Sequence, residues 1–238
     1  PQVSGNFFAG VFKSGPSASN SADRKTWCVA GLGGDDEVWF GVSQDAGDSW
    51  VAWKRVNRRK NFVGAPAVTV NAAGTAIYLV ARDASHFYWF TESKDLGATW
   101  EEWQRIGNGV FHSSPAMVRV ARPLARPPVP DILVVAGLGA DKRVWFSRFS
   151  TNANLANEGW QPIAAGPEGH ATARFTSAPA MVSDGDKEIV LVCRANDLRY
   201  WRVGSFDGGR QFQVGTTWLP HGRPDRGRVR YSGEGERS

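Results

Sequence analysis

The chain has 238 residues, of which 42% are hydrophobic and 21% are charged, and this balance excludes a disordered or fibrous protein. Its formal net charge is only +5, and eleven Trp and thirteen Phe stand beside 27 Gly and 13 Pro. Aromatic residues separated by many turn-forming residues indicate short strands rather than helices.

The basic excess lies in two segments, residues 119–131 and the tail that begins at His221. Both are rich in Pro, Gly or Arg, which is typical of a solvated loop and a loose terminus rather than of a nucleic-acid groove. Cys28 and Cys193 lie in apolar runs and make neither a disulfide framework nor a metal box. We therefore expect no nucleic-acid partner, no metal and no cofactor.

One signature recurs along the chain: Phe, any residue, Ser or Gly, any residue, then Pro. Its copies begin at Phe12, Phe62, Phe111 and Phe175, so that successive starts differ by 50, 49 and 64 residues. The long third step contains two insertions, the Pro/Arg segment named above and STNANLANEG ahead of Trp160. Self-similarity at a fixed period predicts a repeat architecture.

The same order of predicted strands follows each signature. An apolar run comes first, TWCVAG, AIYLVAR, ILVVAG or EIVLVCR, and its continuous apolar character indicates a strand covered on both faces. A polar turn, an aromatic run and a Trp-bearing strand come next. Four short strands cannot bury both faces alone, so adjacent units must stack, and radial stacking gives a β-propeller. A β-sandwich is the competing fold, but it does not require identical strand order in every unit.

We predict an all-β fold, a β-propeller of four-stranded antiparallel blades. Four blades are legible, and a fifth would need residues 222–238 joined to residues 1–10. The propeller domain is expected over residues 1–221, with repeats that start near residues 12, 62, 111 and 175. Residues 222–238 are expected to form a basic, loose tail.

The segment SQDAGDSW at 43–50 returns as SKDLGATW at 93–100. Its Ser, Asp and Gly positions suit a tight, self-hydrogen-bonded turn, and the closing Trp suits a strand that buries a large side chain. These segments resemble the Asp-box, or bacterial neuraminidase repeat, of sialidase-like propellers. The resemblance implies a structural hairpin at the blade edge, remote from the ligand face. The matching residues are Ser43, Asp45, Gly47, Trp50, Ser93, Asp95, Gly97 and Trp100.

The fourth unit, from Phe175, resembles the blade repeat of bacterial propeller lectins of the Photorhabdus lectin type. The match is carried by Ser177, Pro179, Ala180, Arg194, Asp197, Tyr200 and Trp201. Units one and three are expected to place Gly31 and Gly137 where these lectins have Arg, and the chain is too short for their seven blades. The resemblance implies a carbohydrate-binding propeller.

The turns between the second and third strands of each unit mix aromatic and charged residues, as sugar binding requires. We therefore predict a multivalent lectin without catalysis, whose inter-blade pockets bind glycans, fucosylated or other terminal sugars of glycoconjugates among them. For the four Trp residues the alternative is a role as core wedges. The predicted glycan-binding residues are Arg82, Asp83, His86, Trp89, Arg194, Asp197, Tyr200, Trp201, Trp39 and Trp145.

Two other functions stay open. A protein-binding scaffold or adhesin would use the same loops without small pockets. A sialidase-like glycoside hydrolase is disfavoured, because Tyr78 and Tyr88 lack a neighbouring Glu and the opening strand has no arginine motif. We expect no catalytic residue, no membrane span, and a secreted or extracellular rather than a cytoplasmic protein. A homo-oligomer stays open.

Overall fold

The computed structural model describes residues 10–58, 61–120, 130–155, 158–163, 174–212 and 219–221. These residues form four antiparallel sheets of four strands each, with strand order following chain order. The predicted all-β architecture is confirmed: the four sheets are four successive blades of a β-propeller. The predicted tail, residues 222–238, lies outside the described residues. No helix in the described part of the chain is long and apolar enough to cross a membrane.

The blades follow one another along the sequence, and their strands are numbered in chain order. Blade 1 consists of β1 Ser17–Asn20, β2 Trp27–Leu32, β3 Val38–Ser43 and β4 Lys54–Arg55. Blade 2 consists of β5 Phe62–Val70, β6 Ile77–Asp83, β7 Tyr88–Ser93 and β8 Gln104–Arg105. Blade 3 consists of β9 Ala116–Val120, β10 Ile132–Leu138, β11 Val144–Ser150 and β12 Gln161–Pro162. Blade 4 consists of β13 Ala180–Ser183, β14 Ile189–Arg194, β15 Tyr200–Ser205 and β16 Leu219–His221.

The outermost strand of each of the first three blades is shorter than the sequence predicts, only two residues long. The Trp that precedes it turns inward and packs on the signature Phe of its own blade, with ring centroids 4.3–4.7 Å apart. Aromatic burial therefore anchors this edge where backbone pairing is short. The pairs are Phe12 with Trp53, Phe62 with Trp103, and Phe111 with Trp160.

The hydrophobic core is divided among the spaces between successive blades. We call the face of a blade that is directed to the next blade its forward face, and the opposite face its rear face. One core cluster joins the forward face of blade 1 to the rear face of blade 2, and equivalent clusters join blades 2 and 3 and blades 3 and 4. Because strand side chains alternate between faces, the central strands are apolar throughout, as the continuous apolar runs predict.

A backbone hydrogen bond repeats at each of these junctions. The turn between the second and third strands holds a left-handed residue in every blade, namely Asp36, His86, Lys142 and Leu198, with φ between 60° and 70°. The carbonyl of that residue accepts a bond from the signature Phe N–H of the next blade. The three bonds are Phe62 to Asp36 (3.2 Å), Phe111 to His86 (2.8 Å) and Phe175 to Lys142 (2.9 Å). The second, third and fourth signatures thus dock onto the turn of the blade before them.

The two Asp-box segments fold as self-bonded hairpin turns. Ser43 Oγ donates to Asp45 Oδ1 at 2.7 Å and accepts the Gly47 N–H at 2.9 Å, while the Ser49 N–H donates to Asp45. The second box repeats these bonds at Ser93, Asp95, Gly97 and Thr99. The boxes sit beyond the third strands, at the end of each blade opposite the turns described above.

Candidate functional site

Each blade carries one indole–carboxylate pair in the turn between its second and third strands. In blades 1, 3 and 4 the Trp Nε1–H donates to an Asp four residues earlier, at 3.1 Å or slightly longer. The pairs are Trp39 with Asp35, Trp145 with Asp141, and Trp201 with Asp197. In blade 2 the carboxylate comes from six residues earlier, where Asp83 accepts the Trp89 indole at 2.7 Å.

Glycine makes room for this pair in two of the blades. A Cβ on Gly139 would lie 2.7 Å from Asp141 Oδ1, and a Cβ on Gly33 would lie 2.6 Å from Asp35 Oδ1. Gly33 and Asp83 are equivalent, because each pairs with the signature Phe of its own blade. The turn therefore has space for one carboxylate, which either position can supply.

The predicted Trp contacts differ in accessibility. Trp39, Trp89 and Trp145 are half-buried, so each keeps part of its ring at the surface. Trp201 is only 3% exposed and belongs to the core between blades 3 and 4. Trp201 is therefore a core wedge, whereas the other three rings are partly exposed.

The strand register changes the assignment of the arginines. Arg82 pairs with Tyr88 and Arg194 with Tyr200, and the positions equivalent to these arginines are Leu32 and Leu138. The expectation that Gly31 and Gly137 replace the Arg is wrong, because both glycines pair with the Trp one position further on. Blades 2 and 4 thus share an Arg–Tyr pair where blades 1 and 3 have Leu–Val.

Arg82 and His86 come together at the junction of blades 2 and 3. Arg82 Nη1 lies 2.8 Å from His86 Nδ1, and the His86 ring stacks on His112 at 4.5 Å. Tyr88 is completely buried there and donates its hydroxyl to the Ser113 carbonyl at 3.1 Å. Burial raises the pKa of Tyr88 well above its usual value, so the phenol stays neutral. These residues hold two blades together and leave Tyr88 no access to substrate.

A cavity opens beside blade 3, and we call it the blade 3 pocket. Its volume is about 510 Å³. Phe111, Trp145 and Trp160 supply aromatic walls, and Asp141 and Glu158 supply two carboxylates. Trp160 is held by its Nε1–H, which donates to the Ile106 carbonyl at 3.0 Å.

Glu158 differs from Asp141, the other carboxylate of the blade 3 pocket. It is half-buried, and burial raises the pKa of its carboxyl above the usual 4.5. Asp141, in contrast, already accepts two donors, the Trp145 indole and the Arg143 N–H at 3.0 Å. Glu158 lies at the end of an insertion that has lost the repeat pattern, so sequence reasoning did not select it.

A smaller cavity of about 270 Å³ occupies the equivalent place in blade 1. Phe12, Asp35, Trp39 and Trp53 line it, in the same relation as their counterparts in the blade 3 pocket. Two residues before Trp53 stands Val51, whereas Glu158 stands two residues before Trp160. The two cavities therefore share their aromatic walls and differ in the second carboxylate.

No family model matches the chain, and no curated protein sequence matches it either. Several solved structures do match. The NanB sialidase from Streptococcus pneumoniae is 13% identical with a TM-score of 0.55, over 74% of this chain and 28% of NanB. The intramolecular trans-sialidase from Ruminococcus gnavus is 13% identical with a TM-score of 0.53, over 79% of this chain and 42% of the enzyme. A GH62 hydrolase solved with xylotriose is 12% identical with a TM-score of 0.51, over 90% of this chain and 69% of the hydrolase.

These matches establish a sialidase-like β-propeller fold and leave the activity to be argued from the site. The chain spans less than half the length of the two sialidases. The prediction of a lectin without catalysis is contradicted, because the matching structures are glycoside-acting enzymes. Aromatic rings beside carboxylates serve a lectin and a glycosidase alike, so their presence in the sequence did not discriminate between the two. The resemblance to lectins of the Photorhabdus type finds no support in these matches.

Proposed function

We propose that this chain acts on carbohydrate as a glycoside hydrolase, with the blade 3 pocket as its sugar site. One observation carries the proposal. A single cavity joins two indole rings to two carboxylates, and burial raises the pKa of one of those carboxylates. Structural likeness to sialidases and to a GH62 hydrolase supports this reaction class. We also propose the extracellular location that the sequence led us to expect.

The pocket has the size and lining that a sugar ring requires. Its volume of about 510 Å³ lies within the usual range for small-molecule sites, roughly 300–1,000 Å³. Trp145 and Trp160 offer indole faces to the apolar side of a pyranose or furanose ring. Asn108 is held at the rim by Arg105, whose Nη2 donates to Asn108 Oδ1 at 2.8 Å, so the Asn108 amide is left to bind sugar hydroxyls.

Glycosidic bond hydrolysis needs one protonated and one ionised carboxyl group across the scissile bond. Glu158 suits the first role, because its raised pKa keeps a proton available to the leaving-group oxygen. Asp141 suits the second, as an acceptor whose orientation is fixed by the Trp145 indole. In the proposed reaction the Glu158 proton moves to the glycosidic oxygen while the bond to the anomeric carbon breaks. The Asp141 carboxylate accepts a proton from water as the water oxygen bonds to the anomeric carbon, so water supplies the hydroxyl group of the released sugar.

The loss of activity caused by Glu158→Gln should depend on the leaving group of the substrate. A panel of α- and β-linked aryl glycosides, including sialosides and arabinofuranosides, identifies a cleaved substrate. On that sugar linked to an alkyl alcohol, the Gln variant should lose about 10²–10⁴-fold in kcat/KM, as expected for removal of a general acid. On the nitrophenyl glycoside the loss should be much smaller, because nitrophenolate leaves without a proton.

Glu102→Gln is the matched control, since Glu102 is an exposed residue outside the pocket. This variant should hydrolyse both substrates as the wild type does. A purified, folded wild type that cleaves no member of the panel would overturn the proposal. Equal losses of the Glu158→Gln variant on both leaving groups would remove Glu158 from the role of acid.

A further inference from the structure

Three junctions between successive blades are formed among the described residues, and the described residues of blades 4 and 1 form no junction of this kind. The repeated backbone bond from a signature Phe N–H to the preceding turn occurs at Phe62, Phe111 and Phe175. The corresponding bond between the Phe12 N–H and the Leu198 carbonyl is not formed, although both residues are described. Leu198 has the same left-handed backbone as the turn residues that accept such bonds, and its side chain is 76% exposed.

Several described side chains on the forward face of blade 4 are exposed. Val182 is 63% exposed, whereas Val118, its equivalent in blade 3, is 7% exposed and lies in the core. Phe206 is also largely exposed on this face. Exposed apolar side chains that share one sheet face are typical of an interaction surface.

The rear face of blade 1 lacks a neighbour as well. In blade 2 a Cβ added to Gly97 of the Asp-box would lie 2.2 Å from the Phe40 ring of blade 1, so this box packs tightly on the preceding blade. The equivalent Gly47 in blade 1 would meet no atom within 4 Å. Ala18 and Asn20, on the rear side of β1, are exposed.

The two open faces carry matching halves of a junction that the chain already contains. At the junction of blades 2 and 3, Tyr88 of the Arg82–Tyr88 pair donates its hydroxyl to the Ser113 carbonyl. Arg194 and Tyr200 repeat that pair on the forward face of blade 4, where Tyr200 is 53% exposed.

Ser14 in blade 1 repeats the conformation of Ser113. The Leu32 N–H donates to Ser14 Oγ at 3.1 Å, as the Leu138 N–H donates to Ser113 Oγ at 3.0 Å. The signature segment of blade 1 thus has the same local hydrogen bond as the segment that receives the Tyr88 hydroxyl.

We propose that the forward face of blade 4 binds the rear face of blade 1 in a second copy of this chain. Two copies placed head to tail would form both junctions at once and close a ring of eight blades, within the size range of propellers. Each junction would gain the Phe12 to Leu198 backbone bond and a Tyr200 to Ser14 bond.

The experiment is the molar mass of the purified chain by size-exclusion chromatography with light scattering. The wild type should elute at twice the chain mass of 26.0 kDa. Val182→Asp places an unpaired charge in the junction and should give a monomer. Val110→Asp makes the same change at an exposed valine of blade 3, away from both faces, and should remain a dimer. Circular dichroism establishes that each variant is folded.

Mixing distinguishes a head-to-tail ring from contact between like faces. Ala18→Asp changes the rear face of blade 1 and should also give a monomer. An equimolar mixture with Val182→Asp leaves one undamaged junction between the two chains, so dimers should return in the mixture. A monomeric wild type, or a dimer that Val182→Asp leaves intact, would overturn the proposal, and neither result depends on the glycosidase activity.

Discussion

At the scale of single residues, the turn between the second and third strands is defined by one carboxylate beside one indole. Asp83 accepts both the Trp89 indole at 2.7 Å and the Phe87 N–H at 3.0 Å. Asp35 receives equivalent donors, the Trp39 indole and the Glu37 N–H. Burial alone would raise the pKa of Asp35, but these hydrogen bonds outweigh it and lower the pKa below 3.8. The carboxylate thus satisfies donors that would otherwise be buried without an acceptor.

A carboxylate moved from position 83 to position 85 should preserve the turn between the second and third strands of blade 2. Asp83→Gly should cost about 1–3 kcal/mol in the free energy of unfolding, because the Trp89 indole and the Phe87 N–H lose their acceptor. Adding Ser85→Asp recreates the order Gly139, Ala140, Asp141 of blade 3 and should restore more than half of that loss. Urea unfolding of the two single variants and the double variant measures the coupling. If the losses of unfolding free energy in the two single variants simply add in the double variant, positions 83 and 85 are not interchangeable.

Sequence reasoning found the kinds of residue in these turns but misplaced some of them. It located the aromatic and charged positions of each turn, and Arg82 and His86 do lie 2.8 Å apart. It set the Arg position one residue too early in blades 1 and 3, since a run such as GLG contains no side chain that reveals the strand register. Glu158 escaped notice because an insertion cannot be placed by a repeat.

At the scale of the structural element, the Asp-box is a hairpin held by hydrogen bonds to one carboxylate. The Ser49 hydroxyl and N–H, together with the Ser43 hydroxyl, lower the pKa of Asp45 to about 2. The Thr99 hydroxyl and N–H and the Ser93 hydroxyl do the same for Asp95. The residues of each box point their donors at their own Asp, which is why the motif could be predicted as a turn from its letters alone.

This lowered pKa has a defined effect on stability. Because the folded pKa of Asp45 lies below the unfolded value of about 3.9, its contribution is complete above pH 3.9 and disappears as the pH falls through 2. Asp45→Asn should therefore flatten the decrease in unfolding free energy between pH 5 and pH 2, as measured by urea unfolding. Asp48→Asn removes the same charge from the same hairpin and should keep the wild-type slope. Equal slopes in all three proteins would contradict this account.

At the scale of the whole molecule, the repeat period was enough to predict the propeller. The four signatures became four blades, and the last three of them are docked onto the preceding turn by the same backbone bond. Function was harder to predict, because the repeated pattern does not show which side chains differ between equivalent pockets. The pockets of blades 1 and 3 share their aromatic walls, and only the blade 3 pocket contains the half-buried carboxylate of Glu158.

The role of Glu158 as the acid is best tested by the pH dependence of kcat/KM for a cleaved glycoside, in the wild type and in Glu158→Gln. Glu158 must be protonated to act, and burial raises its pKa above 4.5. The wild-type kcat/KM should therefore fall as the pH rises through a value above 4.5, and this alkaline limb should be absent from the residual activity of the variant. An alkaline limb that remains unchanged in Glu158→Gln would contradict the assignment of the blade 3 pocket as the active site.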